Sequence, residues 1–229
     1  AQSTKTDELG RVPYSVPRRD DALRKRDSKL ATRITADLAA RTGSELSAPS
    51  RDELTGLPHR IVFERTLKAS EGTPGLSVVL FDLDFFRAFN DAYGHMVGDN
   101  TIRDVGQALK RSLHPALVCR WGGETFAALL EADDPAVLRR RLGDALQAVA
   151  AMRIPFDHPE NTIFQGIHLS ISAGAARYTD SLESVREADR ALQAAKKLNW
   201  SPKAEEVRGG RAVYRDAAGR DTVLVTPRD

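Results

Sequence analysis

The chain has 229 residues, 41% apolar and 29% charged, with 34 Lys and Arg against 32 Asp and Glu for a net charge of +2. That balance is globular rather than disordered, and it argues against a protein built to grip nucleic acid. No uncharged apolar run approaches the roughly 18 residues of a membrane span, and the lone Cys119 excludes an intrachain disulfide and a cysteine-based zinc site.

Residues 1–20 are polar, contain Pro13 and Pro17, and read as a flexible tail. Over 21–45 the pattern is that of a linker helix, with Leu23, Leu30, Ile34 and Leu38 on one stripe and Arg24, Lys25, Arg26, Lys29 and Arg33 on the other faces. Such a helix either docks on its own domain or pairs two chains as a short coiled coil. Gly43 and Pro49 mark a break, so the main domain is expected over 50–229.

Within it, Ile61 to Leu67 predicts a short helix, and Ser77-Val78-Val79-Leu80-Phe81 predicts a strand buried on both faces and ending at Asp82. Ile102, Val105, Leu109 and Leu113 fall at helical spacing. Leu117–Trp121 and Thr125–Leu130 predict two strands around Gly122-Gly123, a hairpin in the middle of the sheet. Asp134 before Pro135 predicts a capped helix start for the stripe Leu138, Leu142, Ala145, Leu146 and Val149. Residues 152–165 read as a loop. Ile167, Leu169, Ile171 and Ala173 alternate with His168, Ser170 and Ser172, as in a strand with one polar face. Leu182, Val185, Ala188, Leu192 and Ala195 mark a long helix, and Ala212–Tyr214 with Thr222–Val225 predict a closing hairpin. This order predicts a layered α/β or α+β domain.

Chemistry concentrates at two carboxylates. Asp82 ends a buried strand, where an unpartnered carboxylate is costly. Glu124 follows the Gly-Gly turn, and if the hairpin lies beside the Asp82 strand the two converge at one sheet edge. Oxygen ligands of that kind suit Mg²⁺, which takes its remaining ligands from water and phosphate. Asp84 shares their face only if the chain stays extended. The alternative is ordinary turn chemistry, in which strand-end aspartates and Gly-Gly hairpins carry no function. The five histidines (His59, His95, His114, His158, His168) show no ligand spacing and read as surface or loop residues. Neither a phosphate loop nor a dinucleotide glycine fingerprint is present.

Five motifs in order resemble the GGDEF family of diguanylate cyclases. They are Asp52-Glu53-Leu54-Thr55-Gly56-Leu57-Pro58-His59-Arg60; Phe81-Asp82-Leu83-Asp84-Phe85-Phe86-Arg87 with Asn90-Asp91, Gly94-His95 and Gly98-Asp99; Arg120-Trp121-Gly122-Gly123-Glu124-Thr125-Phe126; Ser172-Ala173-Gly174-Ala175-Ala176; and Ala188 through Lys196. The likeness covers about two thirds of the chain. It implies a palm-like nucleotidyl-cyclase fold, a central mostly antiparallel sheet flanked by helices, here with an N-terminal helix. It implies condensation of two GTP into cyclic di-GMP and two pyrophosphates, at a site formed between two copies of the chain. By the same resemblance Asp82, the Leu83 carbonyl and Glu124 would hold Mg²⁺ or Mn²⁺, with Asp82 and Glu124 catalytic. Leu57, Phe86, Arg87, Asn90, Asp99 and Lys196 would bind substrate, with Asn90 and Asp99 reading guanine. Each has a plainer alternative: Leu57 as core, Asp99 as N-cap of a helix starting near Ile102, and Lys196 as a cation at a helix C-terminus.

The resemblance also shows departures. Thr125 stands where Glu is usual, Trp200 where an Arg is usual, and His59 where Asn is usual. Leu113 and Ala116 occupy the product-inhibition positions, which implies no feedback site of that kind. The alternative expectation is therefore a degenerate module that binds GTP or a protein partner. The expected partners are GTP and a second copy in a transient or coiled-coil dimer, without nucleic acid or membrane contact from this chain. The expected compartment is the cytoplasm, as a free protein or the cytoplasmic part of a larger one.

Overall fold

The computed structural model describes residues 51–132, 134–156, 167–199, 211–216 and 218–225. The expected tail, the linker helix and Trp200 lie outside the described residues. In chain order the elements are α1 (Arg60–Ala69), β1 (Leu76–Leu83), α2 (Phe86–Tyr93), α3 (His95–Ser112), β2 (Leu117–Gly122), β3 (Thr125–Glu131), α4 (Pro135–Ala150), β4 (Pro155–Phe156), β5 (Ile167–His168), β6 (Ile171–Arg177), α5 (Ser181–Asn199), β7 (Ala212–Arg215) and β8 (Asp221–Val225).

Six strands form one sheet in the order β2-β3-β1-β6-β7-β8. All its pairings are antiparallel except β6 with β7, which is parallel. β1 is central and buried on both faces, as its unbroken apolar run requires. Val79, Phe81 and Leu83 pack against Ile102, Val105 and Leu109 of α3 and Leu138 and Leu142 of α4. Val78 and Leu80 face the other way, onto Phe63 and Leu67 of α1 and Ala188 and Leu192 of α5. The mixed α/β architecture, a sheet covered by helices on both faces, is the expected one. Asp134 caps α4 as expected, its side chain accepting from the Ala136 N–H at 2.8 Å.

The details depart from expectation in four places. The β2–β3 hairpin lies at one end of the sheet, with β2 as the edge strand, because β1 gives its two sides to β3 and β6. The alternating segment from Ile167 splits. β5 pairs with β4 in a separate two-stranded sheet, and β6 begins only at Ile171. Helix α3 begins at His95, so Asp99 sits inside it and caps nothing. Leu182 is 61% exposed and lies off the buried stripe of α5. That helix seats closely on β6: a Cβ on Gly174 would lie 2.0 Å from the Leu192 amide nitrogen and 2.3 Å from the Ala188 oxygen. Among the described residues no helix is long and apolar enough to cross a membrane.

Candidate nucleotide and metal site

The candidate site stands at the C-terminal end of β1. Asp82 alternates with Val78 and Leu80, so it projects toward the α5 face of the sheet. Its register partners are Thr125 on β3 and Ser172 on β6. The Thr125 hydroxyl donates to Oδ2 of Asp82 at 2.5 Å. The Lys196 ammonium, from the last turn of α5, donates to Oδ1. Both carboxylate oxygens therefore have donors, which is the condition for leaving a largely buried charge there.

Glu124 directly precedes Thr125 at the hairpin tip, one residue beyond the Asp82–Thr125 pair. Gly123 turns the hairpin at φ 55°, a conformation that favours glycine. The hairpin is anchored by Trp121, whose ring lies 4.2 Å from the Arg60 guanidinium and packs edge-on to Phe63 at 5.9 Å. Arg120 ties it to the start of the domain. Its Nε donates to the Gly123 carbonyl at 3.0 Å, and its Nη1 to Oδ2 of Asp52 at 3.0 Å. Asp52 also accepts from the Thr55 hydroxyl at 2.7 Å and the Thr55 amide at 2.8 Å.

Burial pushes the Asp52 carboxyl up, but the Thr55 hydrogen bonds and the Arg120 charge outweigh it and hold the group below its ordinary 3.8. A depressed carboxyl stabilises the fold above its unfolded value, and that contribution disappears as pH falls through the folded value. Asp52→Asn is therefore expected to melt lower than the parent chain at neutral pH, with the two melting curves converging below about pH 4. Thermal unfolding of both proteins from pH 7 downward measures this; a gap that stays constant down to pH 3 would count against the Asp52 clip.

Asp84 takes a different part from the one its spacing suggested. It is buried, and it accepts from the Ser170 hydroxyl at 2.6 Å and the Ser172 hydroxyl at 2.7 Å. Burial pushes it up to about 6, against the pull of the two serines and of Lys196. Ser170 and Ser172, expected on a polar face, are thus turned inward to hold this carboxyl, while His168 stays exposed. The Ser170-x-Ser172 alternation is the signal in the sequence that could have pointed to it.

The remaining residues named from the sequence follow β1 closely. Phe85, at φ 55°, turns the chain sharply from Asp84 into α2. Phe86 is buried and stacks on Phe89 with centroids 5.8 Å apart, so it supports the site from below. Arg87 is exposed on the first turn of α2. Asn90 is half-buried, and its Oδ1 is shielded from solvent without a partner among the described residues. Gly98 presses against it, and the exposed Asp99 is the next residue, so α2 and α3 bring Asn90 and Asp99 together. Leu57 is fully buried in the core beneath Gly106, and presents no surface of its own to a ligand.

The donor set suits a hard cation. Two carboxylates and a backbone carbonyl offer oxygen only, and the Lys196 ammonium already shows that the site accepts positive charge beside Asp82. Among the described residues no three His, Cys, Asp or Glu side chains cluster as a ready metal cage. A cation here would therefore complete its shell with phosphate and water.

A helix-flanked sheet of this strand order, with a hairpin beside the Asp82 strand, defines a class of domain, and the comparisons say which. The chain belongs to the GGDEF family: the family model described as diguanylate cyclase, GGDEF domain, matches residues 50–200. It is similar to the cyclic di-GMP phosphodiesterase PdeR of Escherichia coli, 30% identical over 72% of this chain and 25% of that protein. It is also similar to the diguanylate cyclase DgcP of Pseudomonas aeruginosa, 35% identical over 64% of this chain and 22% of that one. Among solved structures, the GGDEF domain of DgcB from Caulobacter crescentus in complex with c-di-GMP superposes with a TM-score of 0.57 at 27% identity, covering 67% of this chain and 94% of that one. The chain spans about a quarter of the length of such curated relatives. They include cyclases and phosphodiesterases, so membership assigns a domain of cyclic di-GMP signalling.

Proposed function

We propose that this domain is a diguanylate cyclase, condensing two GTP into cyclic di-GMP across two facing copies of the chain. The observation that carries the reading is the register of β1 with β3. It sets Asp82 beside Thr125, the neighbour of Glu124; Lys196 pairs with Asp82, and Asn90 lies against Gly98, the neighbour of Asp99. Asp82, the Leu83 carbonyl and Glu124 would hold Mg²⁺ or Mn²⁺, which would supply charge neutralisation for the phosphates and a lowered pKa for the attacking 3′-hydroxyl. Lys196, paired with Asp82 here, would then be available to the phosphates, and Arg87 adds charge from α2. Asp99 accepts from the guanine N1–H and N2 amine, donors that adenine lacks, and Asn90 reads the same base. Two chains are needed because one 3′-oxygen must lie in line with the α-phosphorus of the other substrate.

Gly98 makes the guanine assignment testable. A Cβ there would lie 1.9 Å from Asn90 Oδ1 and 3.2 Å from Phe86 Cζ. The least costly relief is rotation of the Asn90 amide, which spares the backbone. Gly98→Ala is thus expected to melt near the parent temperature but to weaken GTP binding about tenfold, as loss of one hydrogen-bonding group would. Calorimetric titration with GTP reads it, and unchanged affinity would remove Asn90 from the base site.

A second reading has its own observation. Thr125, in place of the usual Glu, spends its hydroxyl on Asp82 instead of offering a second carboxylate. A domain so altered binds GTP, or a protein partner, as a regulator without turnover. Incubation with GTP and Mg²⁺ or Mn²⁺, followed by chromatography, separates the two: cyclic di-GMP supports the cyclase, and tight GTP binding without product supports the regulator.

A further inference from the structure

We infer that Arg211 is a phosphate-binding cation of this same nucleotide site, delivered from β7 rather than from the end of α5. The inference rests on the nucleotide reading above and adds to it a residue beyond the family match, which ends at residue 200.

Register places Arg211 there. β7 runs parallel to β6 with Ala212 opposite Ala173, and the Ala173 amide donates to the Arg211 carbonyl at 2.7 Å. One step back along both strands, Arg211 stands beside Ser172. Ser172 is opposite Asp82, and Asp82 is opposite Thr125. Thr125, Asp82, Ser172 and Arg211 therefore form one row across the sheet.

Alternation decides the face. Ala212 and Tyr214 pack into the core under α3 and α4, whereas Val213 packs on Ala191 and Ala195 of α5. Arg211 shares the parity of Val213, so it lies on the α5 face with Asp82 and Lys196. Lys196 is the neighbour of Ala195 in that helix.

One nitrogen of the guanidinium lacks a partner. Its Nε is shielded from solvent and, among the described residues, has no hydrogen-bond partner. The nearby acids are engaged: Asp82 by Lys196 and Thr125, Asp84 by Ser170 and Ser172. Arg215, four residues further along the chain, shows the contrast. It is gripped by Asp221 through two hydrogen bonds of 2.7 Å, at the other end of β7. A half-buried guanidinium whose Nε is shielded and without a partner among the described residues, on the row of a candidate triphosphate site, is suited to phosphate oxygens, which its planar fork meets two at a time.

The test uses 3′-deoxy-GTP, which lacks the attacking oxygen, so binding is read without turnover; 3′-deoxyguanosine is the companion ligand, both in Mg²⁺ buffer. Arg211→Ala is expected to weaken the triphosphate by about 10- to 100-fold, the scale of one charge-assisted contact, and to leave the nucleoside within twofold. Arg211→Lys should recover part of the loss, and it carries the comparison if the Ala variant melts early. Unchanged triphosphate affinity overturns the inference. So does an equal loss for both ligands, the result expected if Arg211 only steadies the end of α5. If the parent chain binds neither ligand, the inference and the nucleotide reading fall together. If it binds 3′-deoxy-GTP but makes no cyclic di-GMP from GTP, only the cyclase step is lost and the role of Arg211 stands on its own measurement.

Discussion

Replacing Asp82 with Asn is expected to lower cyclic di-GMP formation about 10³-fold or more, the effect of losing several kcal/mol of metal-borne charge stabilisation. Glu124→Gln should act in the same direction, because on the proposed reading each substitution would take one anionic oxygen pair from the same cation. The fold should tolerate both. An Asn at position 82 still accepts from Thr125, and the lost pairing with the half-exposed Lys196 costs little. Product chromatography beside a thermal melt of each variant makes the distinction. A variant that folds and still forms product at the parent rate would end the cyclase proposal; one that unfolds would assign Asp82 a structural role first.

Gly174→Ala is expected to destabilise the domain by about 3 kcal/mol, at the upper end of what overpacking a core usually costs, and Gly174→Val to do more. The contrast with Gly98 is instructive. At Gly98 the intruding methyl meets the tip of a side chain that can swing aside. At Gly174 it meets the Leu192 nitrogen and the Ala188 oxygen, which are backbone atoms of α5. Relief there requires the whole helix to lift from β6, and Lys196 on its last turn would leave Asp82 with it. Urea unfolding of Gly174→Ala would show a lower midpoint. A midpoint equal to that of the parent chain would mean that α5 does not sit as closely as described.

The elements themselves were legible because each follows from local rules. The run from Ser77 to Phe81 has no polar position, so a strand formed from it must be covered on both faces. Gly122-Gly123 marks the hairpin, whose two turn residues are Gly123 and Glu124, and Asp134 before Pro135 is a helix start on any scaffold. The GGDEF resemblance was legible for a different reason: its motifs are short, ordered and tied to chemistry, and the family model matches residues 50–200.

Pairing across long chain separations was not legible, and it is what makes the site. That Asp82 lies between Thr125 and Ser172, that Ser170 and Ser172 turn inward to hold Asp84, and that Arg120 reaches back to Asp52 all depend on which strand lies beside which. Strand order is set by the collective burial of two cores, a property of the whole sheet that no window of neighbouring residues contains. Arg211 is the clearest case. Along the chain it is one basic residue after a run without periodicity, and only the parallel register of β7 on β6 carries it to the row of Asp82. Residue chemistry and local pattern decided what this protein is made of and which family it joins; the packing of the sheet decided which charges meet.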